Sequence, residues 1–276
     1  MAGDATTTTD PTAAFAVPPA LAVAAGLAAA ALLAAAVVYG TRRWWAGAGA
    51  TADERTRSFP GDELVPGAPL VTTRAIDVAA PAPVAWAWLV QVGQDRGGFY
   101  SLTWLENLVG CRMRNADRIV PEWQHRAVGD AVALHPRTPP LRIAAIEAPR
   151  TLVLLGSTEG ASAADGDAAR APASPPAIAG DDGGSGTAAR AGRTRTSWAF
   201  VIDPRGPAAC RLIVRTRTDW RPGLLNAALW RGIVDPGHFV MERAMLRGVA
   251  RRAAATPAGD AAALRPPTDG SAKPHG

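Results

Sequence analysis

The chain has 276 residues, 48% of them hydrophobic, and a net charge of +5. Such basicity raises nucleic acid as a partner, but the basic residues are almost all arginine, with Lys273 the sole lysine, and they are scattered, whereas phosphate binding needs a stripe of them. Two cysteines, Cys111 and Cys210, provide no disulfide framework, and without a Cys-x-x-Cys or His/Cys cluster the sequence points away from a metal site.

Residues 1–19 read as a disordered tail. Residues 11–41 carry no charged side chain, and 20–39 are long enough to cross a hydrocarbon core, which needs about 20 residues. Leu21, Val23, Leu27, Leu32, Leu33, Val37 and Val38 provide most of the apolar drive in this alanine-rich stretch. Arg42, Arg43, Trp44 and Trp45 follow at once, and only Asp4 and Asp10 are charged before it. Basic residues beside tryptophans suit a cytoplasmic interface, so a single-pass membrane protein with its main domain in the cytoplasm is expected. Two other readings stay open. One is a signal peptide cleaved near Ala46-Gly47-Ala48, although such peptides want a basic start. The other is a plain Ala/Pro tail.

Residues 40–70 read as a linker. A strand is expected over 72–78, with Arg74, Ile76 and Val78 on one face. Pro81 and Pro83 open a helix on which Val84, Trp88 and Val92 make a single apolar stripe, ended by Gly93. A second short helix over 102–109 carries apolar Trp104, Leu105 and Leu108. A polar loop fills 110–130, and strands follow at 131–134, 141–147 and 151–155. Residues 157–193 hold almost no large apolar side chain and read as a disordered insert in a hairpin. Strands resume at 196–202 and 210–218. In the second, Leu212, Val214, Thr216 and Thr218 face one way, with Arg211, Ile213, Arg215 and Arg217 opposite, which predicts a sheet with one wet side. A helix-prone segment at 223–231 precedes a terminal helix over 235–254 and a disordered tail at 256–276. The order is α+β: strand, two helices, antiparallel strands, then a long helix as lid.

Several stretches carry a resemblance. They are Val78-Ala-Ala-Pro-Ala-Pro-Val-Ala-Trp-Ala-Trp-Leu, Arg96-Gly-Gly-Phe-Tyr-Ser-Leu-Thr-Trp-Leu-Glu-Asn-Leu108 and Ala116-Asp-Arg-Ile-Val-Pro-Glu-Trp-Gln124. Gly129-Asp130 and Pro236-Gly-His-Phe-Val-Met-Glu-Arg243 complete the set. Through them the chain resembles the START-like, polyketide-cyclase-like superfamily (SRPBCC), over about 72–254 without the insert. The resemblance implies a helix-grip fold over 71–255. In it a curved antiparallel sheet packs on a long C-terminal helix, two short helices follow the first strand, and a cavity lies between sheet and helix. Members of that superfamily bind lipids, sterols, hormones or polyketides, and some are cyclases. The N-terminal span and the 157–193 insert depart from its pattern.

Candidate ligand contacts follow. Trp86, Trp88, Trp104, Trp123 and Trp198 are apolar walls or ordinary core. Tyr100, in the Gly-Gly-Phe-Tyr turn, either presents its hydroxyl to a ligand or satisfies a backbone group. Glu106 and Asp117 are candidate acid/base groups, or else partners of Arg96, Arg114 and Arg118 that hold the loop. His238, at the start of the last helix near where the cavity should open, is a ligand contact or proton carrier, or else a capping or packing residue, and Glu242 joins it or pairs locally with Arg243. The expected partner is a small hydrophobic or amphipathic ligand, lipid- or polyketide-like, with no cofactor and no nucleic acid; the oligomeric state stays open. A cyclase/dehydrase-like enzyme and an interaction protein with a vestigial cavity are the alternatives.

Overall fold

The computed structural model describes residues 18–157, 194–220, 232 and 234–264. The expected disorder at 1–17, 158–193 and 265–276 and the helix at 223–231 lie outside the described residues. The chain divides into two units at the Thr41/Arg42 junction. In the first runs most of a helix, α1 (Pro19–Ala46), whose stretch Pro19–Arg42 is long and apolar enough to cross a membrane.

The second unit is α+β. Its strands β1 (Leu70–Val78), β2 (Ala131–Val132), β3 (Leu141–Glu147), β4 (Thr151–Ser157), β5 (Arg195–Pro204) and β6 (Cys210–Asp219) form one antiparallel sheet in the order β1-β6-β5-β4-β3-β2. β1 pairs with β6 along its whole length, Arg74 opposite Val214 and Val78 opposite Cys210. One face carries Val78, Leu152, Leu154, Phe200, Ile202, Leu212 and Val214 into the main core. Period-two alternation of β-branched and aromatic residues puts them there.

Two short helices, α3 (Ala82–Val90) and α4 (Thr103–Leu108), follow β1; α2 (Ala52–Thr56) precedes it. The long helix α5 (Asp235–Ala255) lies against β1 and α3 and sends Met245, Leu246, Val249 and Ala253 into the core. Pro81 and Pro83 suit the start of α3, where a missing N–H costs nothing. The expected single stripe on α3 is not what forms: every residue from Val84 to Val90 is buried. Sheet and α5 take one side, and the 118–126 stretch closes the other. There Gln124 Nε2 donates to the Ala87 carbonyl (3.2 Å) and Arg126 donates to the carbonyls of Val90 (3.2 Å) and Val92 (2.7 Å), satisfying the helix end.

The opposite sheet face is not wet, and 40–70 is not a free linker. Residues 50–67 pack across that face, burying Phe59 and Val65, while Trp45 is buried on the other side, against Phe239 of α5. Thr51 and Glu54 make a reciprocal capping box at the start of α2. Glu54 also takes Arg211 in two bonds of 2.9 Å, and Arg215 reaches Asp62 (2.9 Å), Thr73 (3.1 Å) and the Glu54 carbonyl (2.8 Å). Guanidinium groups of Arg57 and Arg215 lie 4.6 and 4.7 Å from the Phe59 ring centre. The arginines that suggested solvent are held in a polar layer. At the other end, the expected tail from 256 starts with a further helix, α6 (Ala258–Ala263), and Ala261 and Leu264 pack on the core.

Candidate functional site

On the core side of the sheet, the first turns of α5 leave a cavity of about 70 Å³. His238, Met241, Glu242 and Met245 line it from the helix, at the i, i+3, i+4, i+7 spacing of one helical face. Trp198 of β5 and Glu106 of α4 close it, with Phe99 and Ser101 from the loop before α4. Most of the wall is apolar.

Its polar atoms are few and deeply buried. Glu242 forms an ion pair with Arg74 of β1, both side chains being 1% exposed. Arg74 Nε also donates to the Trp45 carbonyl (3.0 Å), and its guanidinium lies 5.2 Å from the Phe239 ring centre. His238 Nδ1 stands 3.9 Å from Glu242 Oε2 and its ring is partly exposed. Across the cavity, Ser101 Oγ donates to Glu106 Oε1. Burial pushes the Glu106 carboxyl above the usual range, and the Ser101 bond opposes this only in part. Trp198 lies between Phe99 (ring centres 6.0 Å, stacked) and Phe200 (4.7 Å).

Four atoms of these groups have no hydrogen-bond partner among the described residues: Glu106 Oε2, Glu242 Oε1 and Trp198 Nε1 on residues that line the cavity, and Arg74 Nη2 behind Glu242. A buried polar atom left so costs about 1–3 kcal/mol. Three on one small apolar cavity set up a site where a polar molecule gains what the free protein lacks. A carboxyl with a raised pKa facing an ion-paired carboxylate is also suited to giving and taking a proton.

The cavity brings Glu106, Trp198, His238 and Glu242 together; the other expected contacts lie elsewhere. Tyr100 and Trp88 are core, packed edge-to-face at 5.7 Å. The Tyr100 hydroxyl accepts from Gln91 Nε2 (2.8 Å), and burial pushes its pKa up to about 12. Trp88 Nε1 donates to Thr256 Oγ1 (2.9 Å). Trp104 is 68% exposed, because α4 turns its charged Glu106 inward and its apolar residues outward. Asp117 is exposed, and Trp123, half-buried, lends its carbonyl to Arg96 (3.4 Å). Glu106 makes no ion pair with an arginine among the described residues, so it does not fasten the loop as the structural alternative expected. Sequence reasoning missed Phe99, Ser101, Met241, Met245 and Arg74. Met241 and Met245 were findable by helical spacing from His238, and Arg74 as a lone charge on the Ile76/Val78 face.

A larger, shallow recess of about 490 Å³ lies beside Trp86, Val90, His125, Arg126 and Asp130. Arg126 spends its donors there on backbone carbonyls. Among the described residues no cluster of three or more His, Cys, Asp or Glu could hold a metal ion.

No family model matches the chain, and no curated protein does. Similar solved structures exist at low identity. A protein from Arthrobacter aurescens is 14% identical with a TM-score of 0.34, the match covering 68% of this chain and 88% of that one. A Thalictrum norcoclaurine synthase point mutant, in complex with a transition-state analogue, is 11% identical with a TM-score of 0.32, covering 66% and 92%. A polyketide-cyclase-like protein from Corynebacterium glutamicum is 14% identical with a TM-score of 0.26, covering 67% and 87%.

Proposed function

We propose that residues 42–264 form a helix-grip ligand-binding domain, anchored to a membrane by the Pro19–Arg42 helix, and that the cavity under α5 takes a small amphipathic molecule. The observation that carries this is the set of unpartnered buried atoms, Glu106 Oε2, Glu242 Oε1 and Trp198 Nε1, on one mostly apolar wall. Sites that enclose a drug-sized ligand run to about 300 Å³ or more. This cavity, at about 70 Å³, suits a small molecule or the polar end of a larger one, so a lipid or polyketide would keep its remainder outside.

A second reading, an enzyme of the cyclase/dehydrase kind, draws on the raised Glu106 pKa opposite Glu242 and His238. Glu106 would then act as general acid or base.

Native mass spectrometry of the full-length chain, released from detergent micelles after exposure to a cell extract, tests the binding reading. A reproducible bound mass is expected, and Met241→Trp, which fills the cavity, should remove it. A clean unliganded mass across many extracts would overturn the proposal.

A further inference from the structure

We infer that the occupant of this cavity is a small protonated amine that also carries an acceptor oxygen, its ammonium held by Glu106 and Glu242 and its oxygen by Trp198 Nε1. The inference rests on the ligand-binding reading above.

Each unpartnered atom on a residue lining the cavity sets a demand. Glu242 Oε1 and ionised Glu106 Oε2 accept hydrogen bonds, whereas the indole N–H only donates. A plain alcohol has one hydrogen and leaves a carboxyl unserved. A plain amine serves both carboxyls but leaves Trp198 without an acceptor. An amino alcohol answers all three, and the cavity is small enough that one short molecule spans it.

Charge points the same way. Arg74 balances Glu242, but no described cation forms an ion pair with Glu106. With Glu106 ionised the cavity is one negative charge in excess, and a buried charge needs a partner. An ammonium supplies it, and the Trp198 and Phe99 rings on the wall belong to the class that attracts cations.

Binding is therefore linked to pH. The groups around Glu106 are Ser101, the Cys111 thiol beyond α4, and Glu242 and His238 from α5, with Arg74 of β1 behind Glu242. Burial holds the Glu106 carboxyl up in the free protein. A bound ammonium favours the ionised form, so binding expels a proton. Affinity should tighten as pH rises through the Glu106 titration and weaken again where the amine itself deprotonates, near pH ~10.

The test uses the full-length chain with ¹³C-methyl methionine in phosphatidylglycerol nanodiscs, titrated with ethanolamine, propylamine and propan-1-ol. Met241 and Met245 line the cavity, while Met113 is in the core and does not. Ethanolamine should shift the Met241 and Met245 methyl signals saturably and leave Met113 alone, with propylamine weaker and propan-1-ol weakest. Glu106→Gln should weaken ethanolamine by about tenfold or more, as expected for a lost charge-assisted bond, and flatten the acid limb of the pH profile. Trp198→Phe should abolish the advantage of ethanolamine over propylamine, and an unmoved Met113 signal checks that each variant is folded. Propan-1-ol binding as tightly as ethanolamine, or Glu106→Gln changing nothing, would overturn the amine while leaving the binding domain intact. No response to any probe, together with no bound mass from extracts, would remove both. Repeating the experiment in phosphatidylethanolamine nanodiscs without free amine separates the sources: a shift there assigns a lipid headgroup, and its absence a free amine.

Discussion

Arg74, on a sheet face beside Ile76, Val78 and Val214, and its partner Glu242 on α5 are each 1% exposed. Taking two charges out of water is costly, and their attraction offsets this only with further bonds in place. Here the Trp45 carbonyl and the Phe239 ring supply part of that. Removing one partner strands the other. Glu242→Gln should therefore lower unfolding stability by about 3–5 kcal/mol, and the double change Arg74→Met with Glu242→Leu should recover most of it. Denaturant melts of the full-length chain in mild detergent measure both. A loss below about 1 kcal/mol for Glu242→Gln would mean that water reaches the pair, as it does in surface bridges. Glu106 shows the contrasting fate of the same residue type: with Ser101 and, among the described residues, no arginine paired to it, it keeps a raised pKa and an open oxygen.

At the scale of elements, the seating of α5 depends on one missing side chain. A Cβ on Gly248 would run into the carbonyl oxygen of Tyr100, and that backbone is fixed. Tyr100 sits at φ 57, its N–H donating to Asn115 Oδ1 (2.8 Å) and its hydroxyl held by Gln91. Gly248→Ala should thus cost about 1–3 kcal/mol despite the better helix propensity of alanine. Gly259→Ala on α6, where a Cβ meets nothing within 4 Å, should be neutral or slightly stabilising. Equal effects in thermal melts would refute this account of the helix seat. The same element explains what the sequence made legible. Strands β3 to β6 were plain, because short runs rich in β-branched and aromatic residues between turn signals mark them, and α5 was plain from Pro236 onward. The α4 helix was misread, because Trp104 (68% exposed) and Leu108 (75%) point outward while Glu106 points in, and spacing cannot say which face wins. The 50–67 stretch was misread for another reason. Its attachment rests on Glu54, Asp62 and the β6 arginines, with only a few large apolar anchors, and a charge-rich segment gives no periodic signal. The cavity was half legible: His238 and Glu242 through the last motif and Glu106 through its apolar neighbours, but Ser101 and Arg74 only through pairings made in three dimensions.

For the molecule as a whole, the end of α1 bears on cleavage near Ala46-Gly47-Ala48. Residues 42–48 belong to the folded domain. Arg42 lies 3.8 Å from Asp235, Trp44 and Trp45 pack on Phe239 at 5.9 and 6.0 Å, and Trp45 and Ala48 are buried. The Trp45 carbonyl is also what receives Arg74, the residue that braces Glu242 on the cavity wall. Cleavage near Ala46-Gly47-Ala48 would strip these contacts from the start of α5 and leave Arg74 short of an acceptor, a loss of about 1–3 kcal/mol from that bond alone. Under the proposed anchor, the chain keeps Trp45 in its core with the apolar helix still joined to it. Intact mass of the protein isolated from cells should therefore include the Pro19–Arg42 stretch, and alkaline carbonate or high-salt washing should leave it with the membrane, since burial of about 20 apolar residues does not depend on charge. Deleting residues 1–41 should release a domain whose Met241 and Met245 signals are unchanged. A mature chain beginning near Gly49, or release of the whole chain by salt, would show that the helix is not an anchor and would put the cavity out of reach of any lipid source.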